Sequence, residues 1–200
     1  MLLKNIFWYF TKGLSSKECS YILKLGFKNS LKKGTIGGSK GNKEKYVPKK
    51  EIRNSDVCFL DDQKIYDLIV PYINSANIQA GWNFQYEWHE SCQFTKYDKK
   101  QHYDWHQDSW KEPYGKNVNN YSNKIRKLSS VVLLSNPKDF EGGDLEIKEY
   151  SNNPTLFQTK QFLKKGSIIV VPSFILHRVT PVTKGIRYSL VTWTLGQPFK

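Results

Sequence analysis

Cysteine is scarce and poorly placed for cross-linking. The 200 residues hold three, Cys19, Cys58 and Cys92, an odd number with no C-x-x-C pair. That spacing argues against a disulfide framework and a thiolate zinc site, and a reducing, cytoplasmic setting is expected. Long hydrophobic runs are also missing. No stretch approaches the roughly 18 apolar residues a membrane helix needs. The apolar start from Met1 to Phe10 is broken by Lys4 and Asn5 and lacks a signal-peptide cleavage pattern, so a soluble chain with no membrane association is expected. Acidic residues are few: 18 Asp plus Glu face 31 Lys plus Arg, a net charge of +13. Such an excess favours an acidic partner and says nothing about fold. No internal repeat stands out.

What is present is a core-forming chain rich in rings. Hydrophobic residues make up 38% and aromatics 14%, which excludes wholesale disorder and suits large side chains packed on β-sheet or lining a pocket. The length predicts one domain spanning residues 1–200. Ser15-x-x-Glu18 is a capping box and opens a helix to Phe27, with Ile22, Leu23 and Leu25 on its apolar side. Residues 31–50 hold seven lysines, one glutamate and four glycines with no sustained period. They read as a basic loop, either a solvated excursion or a lid over a substrate. Arg53 to Leu60 reads as a strand. Asp61 and Asp62 then offer an N-cap to a second helix carrying Ile65, Leu68, Ile69, Tyr72 and Ile73, with a kink expected at Pro71.

Beyond residue 80 the period changes to two. Strands are predicted over Trp82–Trp88, Ser91–Tyr97, Leu128–Leu134, Gly143–Ile147, Gly166–Val171, His177–Val182 and Arg187–Leu195, with a polar loop from Trp110 to Lys127. Many short strands after a helical N-terminal part predict a mainly β fold, a sandwich or jelly roll backed by helices, with residues 1–80 as support and 81–200 as the β core.

Four histidines are present: His89, His102, His106 and His177. His106 and Asp108 are two apart, and on extended chain such residues share a face. One imidazole and one carboxylate on one face can hold two adjacent positions of a metal. His177, following the buried-looking run Ile168-Ile-Val-Val-Pro172, is the candidate third ligand. Two histidines and a carboxylate form a facial triad with open positions, the arrangement of non-haem Fe(II) oxygenases. A His-x-Asp alone is better read as a surface strand; the C-terminal run changes that reading. Arg187, Ser189, Val191 and Trp193 share one strand face. An arginine on an otherwise apolar inward face needs an anion. A dicarboxylate supplies it, bound by the guanidinium fork and a serine hydroxyl.

These residues make the sequence resemble the Fe(II)- and 2-oxoglutarate-dependent dioxygenases, and among them the prolyl 4-hydroxylase-like and PKHD-type hydroxylases. The resemblance rests on Tyr97-x5-Tyr103-x2-His106-x-Asp108, on Phe140-Glu-Gly142-Gly143-Asp-Leu145, on Gly166-Ser-x4-Pro172, and on His177-Arg-Val179-Thr-Pro181-Val182-x2-Gly185-x-Arg187-x-Ser189. It covers the chain from about Gln93 to Trp193, with Arg53–Leu60 and the preceding helix as a weaker continuation. It implies a double-stranded β-helix, or jelly roll, with helices on one sheet. It implies His106, Asp108 and His177 as iron ligands, Arg187 with Ser189 on the distal carboxylate of 2-oxoglutarate, and Tyr97 as a hydrogen-bond partner of that cosubstrate. Fe(II), 2-oxoglutarate and O2 are the implied cofactors, and the resemblance admits ascorbate. One departure concerns Lys100, where the family often has glycine; it puts the local turn in question and leaves the ligands untouched.

The activity implied is oxidative decarboxylation of 2-oxoglutarate to succinate coupled to hydroxylation of an unactivated C–H bond. A protein or peptide substrate, proline above all and acidic by charge, is the leading expectation. Nucleic-acid demethylation by the same chemistry ranks below it: that branch usually carries a second arginine six residues after the first, where this chain has Trp193. A small-molecule hydroxylase stays open. A non-catalytic binding module on the same fold is disfavoured by the retained ligands and Arg187. His102 is expected outside the metal shell, His89 at the surface, Trp105 and Trp110 in packing beside the ligand pair, and Gly142-Gly143 in a tight turn. Oligomeric state is not legible.

Overall fold

The computed structural model describes residues 3–36, 49–110, 112–116, 119–149, 155–161 and 163–199. The capping box forms as the sequence demands. The Glu18 amide donates to Ser15 Oγ (3.3 Å), the Ser15 amide donates to Glu18 Oε2 (2.6 Å), and helix α1 runs Ser16–Lys28. Asp62 caps α2 (Gln63–Gln79) by accepting from the Ile65 amide. The helix runs unbroken through Pro71, which lies on its exposed side. Of the basic segment 31–50, residues 37–48 lie outside the described residues; the described flank includes strand Lys32–Lys33, paired with Asp56–Leu60.

The strands form a jelly roll of antiparallel sheets. The larger sheet has the order Trp8–Phe10, Ile168–Pro172, Ile125–Leu133, Arg187–Gly196, Cys92–Tyr97, Asp56–Leu60, Lys32–Lys33, and the short strand Trp88–His89 pairs with the end of Arg187–Gly196. The smaller sheet has the order Leu156–Gln158, Leu145–Lys148, Leu176–Val179, His102–His106, Arg53–Asn54. Val182–Gly185 pairs with Phe140–Gly142. The single predicted strand over Arg53–Leu60 is thus two. Arg53–Asn54 joins the smaller sheet and Asp56–Leu60 the larger, with the chain changing sheets at the fully buried Ser55.

Side-chain alternation explains the layering. Ile168 and Val170 face α1 and α2, where they join Cys19, Ile22, Ile65, Ile69 and Phe94 in one core. Ile169 and Val171 face the smaller sheet, where they join Tyr97, Leu145, Ile147 and Val179 in a second. The strand is covered on both faces, so it reads as an unbroken apolar run. Cys92–Tyr97 differs: Cys92 and Phe94 point to the helices, whereas Gln93, Thr95 and Tyr97 point between the sheets. Polar residues on the inner face are what leave room for a site.

Trp82–Trp88 is not a strand, apart from the pair Trp88–His89. Trp82 and Phe84 are buried as the alternation predicts, but against the helix layer. Their backbone is served by a side chain instead of a neighbouring strand: Asn77 Nδ2 donates to the Phe84 carbonyl and Asn77 Oδ1 accepts from the Phe84 amide. The loop predicted to reach Lys127 ends earlier, because Ile125 already pairs with Gly196.

The turn before His102 forms with lysine in place of glycine. Lys100 has φ +67° and its amide donates to the Val182 carbonyl (2.8 Å). Left-handed backbone costs a side-chain-bearing residue about 1–2 kcal/mol, partly offset in glycine by unfolded-state entropy. Lys100→Gly is therefore expected to stabilise the fold by up to about 1 kcal/mol, raising Tm by roughly 2–4 °C for a chain of this size. A lower Tm in a thermal melt would contradict it.

Candidate metal centre

His106 closes the strand His102–His106 and lies directly across from His177 on the neighbouring strand. Cross-strand pairing thus brings two residues distant in sequence to one spot, with ring centroids 4.3 Å apart. Asp108 does not reach them by strand alternation, since the strand ends at His106. A tether beyond the strand positions it instead: the amides of Asp108 and Ser109 both donate to the Ser173 carbonyl, each at 2.8 Å. The carboxylate then sits between the rings, Oδ1 at 3.7 Å from His106 Nε2 and Oδ2 at 3.4 Å from His177 Nε2. One ligating atom from each of the three lies within 4.8 Å of the others, an arrangement with no second example among the described residues.

Both tautomers are set by the backbone. His106 Nδ1 lies 2.7 Å from the Asp104 carbonyl and His177 Nδ1 2.9 Å from the Ile175 carbonyl. A carbonyl only accepts, so each Nδ1 carries the proton, and in the neutral ring each Nε2 is left to present its lone pair inward. Burial, with His177 alongside, holds His106 down to about 3, so its ring is neutral. Burial pushes Asp108 upward, but His177 and His106 outweigh it and keep the carboxyl well below the usual range. Burial likewise opposes charge on His177, and Asp108 overcomes that, so its net direction is upward. An anionic carboxylate and two inward Nε2 atoms fit a divalent iron with positions left open. Tyr103 stacks on His106 at 3.4 Å and 9°, and the Arg53 guanidinium lies 4.6 Å over the Tyr103 ring.

Arg187 is 2% exposed. It donates to Ser189 Oγ at 3.0 Å and lies 5.5 Å over the ring of Tyr97, its register partner on the next strand. Among the described residues no carboxylate pairs with it, and burial pulls its pKa down. The fork is therefore a buried cation with no ion-pair partner among the described residues; Asp144 favours its charge from a distance but pairs with Lys160 at 3.8 Å, and burial still outweighs it, which leaves the fork open to an arriving anion. Gly143 makes space for it. At φ +61°, a Cβ there would stand 3.0 Å from Arg187 Cδ and 2.9 Å from Val182 Cγ2. The Gly142-Gly143 turn thus also gives the arginine its room. A narrow cavity of about 40 Å³ has Tyr97, His106, Asp108, His177, Arg187 and Ser189 in its walls. All six residues expected at the site come together there.

Sequence reasoning missed a second group at the other end of the cavity. Arg126 makes a bidentate pair with Glu90 (2.6 and 2.6 Å), and its guanidinium lies 3.8 Å over the Trp193 ring. Tyr114 donates to the same Glu90 carboxylate. The Trp193 indole N–H is buried with no acceptor among the described residues. Trp193 was visible as an inward position of its strand; Arg126 stood in a stretch read as loop, where no period marked its face. His102 stays outside, bonded to the carbonyls of Lys100 and Glu51. His89 is half-buried, not at the surface, with Nδ1 3.0 Å from Thr194 Oγ1. Trp105 packs under Arg178 (4.7 Å), and Trp110 lies beside Tyr114 and Arg126.

A family model described as "2OG-Fe(II) oxygenase superfamily" matches residues 92–195. A PKHD-type hydroxylase of Hyphomonas neptunium is 45% identical over 67 residues, 33% of this chain and 27% of that protein. One from Pseudoalteromonas atlantica is 36% identical over 101 residues, 50% of this chain and 40% of that protein. The chain thus spans between about a quarter and two fifths of the length of these curated relatives. A prolyl-4-hydroxylase crystal structure from Pseudomonas putida superposes with TM-score 0.66 at 17% identity, covering 98% of this chain and 95% of that one. A Trichoplax adhaerens prolyl hydroxylase, solved with a hypoxia inducible factor peptide fragment, gives 0.63 at 17% identity, covering 96% and 84%. At such identities the likeness is one of fold. Among the described residues no helix is long and apolar enough to cross a membrane.

Proposed function

Because the chain belongs to the 2OG-Fe(II) oxygenase superfamily, we propose that it is an Fe(II)- and 2-oxoglutarate-dependent hydroxylase of peptides, with proline as the target residue. The observation that carries this reading is one cavity holding both the two-histidine, one-carboxylate trio and a buried guanidinium that forms no ion pair among the described residues.

His106, Asp108 and His177 would hold the iron, which together with 2-oxoglutarate and O2 supplies the oxidising chemistry when bound. Arg187 takes the distal carboxylate of 2-oxoglutarate in its fork, and Ser189 keeps that fork in plane. Tyr97 stands beside the guanidinium, and Val131, Leu145 and Val179 line the same cavity and exclude water from it. At the opposite end, the buried Trp193 N–H, which has no acceptor among the described residues, is a donor for a backbone carbonyl of the substrate. This is what supports a peptide over a free amino acid. The net charge of +13 sets a long-range preference for peptides of negative overall charge, which weakens as salt rises.

The test is Fe(II)-dependent succinate release with a panel of proline-containing peptides, oligonucleotides and free amino acids, followed by mass analysis of the product. A gain of one oxygen on a peptide proline is the expected result. Stoichiometric turnover with oligonucleotides or free amino acids alone would replace the peptide reading.

A further inference from the structure

A second, larger hollow of about 770 Å³ lies beside the metal cavity, a size within the range of ligand sites. Its walls include the rings of Tyr66, Trp88, His89 and Tyr121 and the carboxylates Asp61 and Asp67. One partition separates the two spaces. Glu90 gives its carboxylate to Arg126 and Tyr114 on the metal side, while its carbonyl accepts from the Tyr66 hydroxyl on the other. Tyr121 packs 5.7 Å from Tyr114 across the same partition. Ser91 lines the hollow, and Gln93, two residues on along one edge of chain, lines the metal cavity. The two spaces thus adjoin one short stretch of chain. The metal cavity is small, about 40 Å³, so the backbone and flanking residues of a peptide substrate must lie outside it.

The charge of the hollow runs against that of the chain. Glu87 also lines it but is matched by Lys124 at 3.2 Å. Lys64, the nearest lysine in sequence, lies over the Tyr21 ring instead. Asp61 and Asp67 accept only from neutral groups, the Tyr66 hydroxyl and the Gln63 amide, and form no ion pair among the described residues. Burial lowers the pKa of His89, so it adds no positive charge near neutral pH. Trp88 keeps 42% of its surface exposed. Two carboxylates without cations beside exposed aromatic faces suit an ammonium or guanidinium group on an alkyl stem.

We propose that this hollow is a specificity subsite for a lysine or arginine side chain flanking the hydroxylated residue of the peptide substrate. The proposal rests on the peptide-hydroxylase reading above, and it adds a local requirement for a cation to the long-range pull on negative charge. Asp61 and Asp67 supply the electrostatic match, and Tyr66, Trp88 and Tyr121 supply ring faces for the stem and head group.

The experiment uses two fluorescein-labelled proline peptides of the same acidic background, differing only in a lysine or a glutamine beside the proline, on the metal-loaded protein with 2-oxoglutarate, without oxygen. Anisotropy should show the lysine peptide binding about tenfold tighter than the glutamine peptide, the size of one or two cation–aromatic and ion-pair contacts. Asp61→Asn combined with Asp67→Asn should erase that difference while leaving 2-oxoglutarate affinity and the melting temperature unchanged. Trp88→Ala, at an exposed ring, should reduce it on a fold that is not in question. Equal binding of the two peptides by the wild-type protein, or a preference that survives the double substitution, overturns the subsite. Succinate release separates this from the parent reading. Oxygen-dependent turnover of both peptides with equal KM sinks the subsite and leaves the hydroxylase standing. A lysine preference lost in the double variant, with no proline peptide ever turned over, keeps the subsite and sinks the hydroxylase.

Discussion

Asp108→Ala is expected to abolish turnover and to weaken metal binding by well over about 100-fold. Loss of a mere outer partner of a ligand typically costs 10- to 100-fold, and here a ligand itself is removed. Among the described residues Asp108 is the only anion between the two imidazoles, 3.7 Å and 3.4 Å from their Nε2 atoms. Without it the site is a pair of neutral rings on adjacent strands, with no charge to offset a divalent cation. The fold should survive, because the tether from residues 108 and 109 to the Ser173 carbonyl runs through backbone amides that alanine keeps. Calorimetric titration with Mn(II) or Fe(II), with far-ultraviolet circular dichroism as the control for folding, reads both parts. His102→Ala is the matched control: its ring bonds only two carbonyls away from the trio and should leave metal affinity within about twofold. Undiminished metal affinity in Asp108→Ala would remove the trio from the chemistry.

Arg187 carries the second large effect, and it has two opposite signs. Replacement by lysine keeps the charge and loses the planar fork. Losing one charge-assisted hydrogen bond costs about 1.5–3 kcal/mol, so the KM for 2-oxoglutarate should rise roughly 10- to 100-fold with metal affinity unchanged. Replacement by methionine removes the charge and keeps much of the stem. In the absence of cosubstrate it should leave stability unchanged or raise it, because the wild-type protein buries a guanidinium that forms no ion pair among the described residues and whose burial outweighs the distant Asp144, and apolar replacements at such sites are often neutral or stabilising. A structural arginine would behave the other way, with methionine lowering the apo Tm and lysine leaving the 2-oxoglutarate KM alone. Adding 2-oxoglutarate to the wild-type, metal-loaded protein should raise its Tm through binding linkage, and both variants should lose most of that gain.

The ligand trio was legible because its chemistry is written into residue type and order. Few side chains can hold iron, the chain has four histidines, and one stands two residues from an aspartate ahead of an Arg-x-Ser run. The route by which Asp108 reaches the two histidines was not legible. Strand alternation was the available argument, and the strand stops at His106; a carbonyl on Ser173, far along the chain, does the positioning. Arg126 and Glu90 were missed for a related reason. Neither residue type nor local period marks a pair whose meaning lies in mutual contact across two strands. The Trp82–Trp88 error shows the limit of periodicity from the other side. Alternating burial was read correctly, but it records only which side chains meet a core. Whether the backbone finds a strand or an Asn77 side chain to bond is a separate matter.

The sequence by itself determined the alternation of apolar faces, the capping of both helices, and the set of residues able to carry metal and carboxylate chemistry. All of these act over a few bonds or through intrinsic side-chain chemistry. Only the tertiary structure decided that Arg53 and Asp56 lie in different sheets, that His106 faces His177, that the Trp193 N–H finds no acceptor among the described residues, and that Asp61 and Asp67 share a hollow with Trp88. Those facts depend on register and on which sheet edge meets which helix. They are set when the two sheets close around a common core, and no stretch of chain encodes them alone.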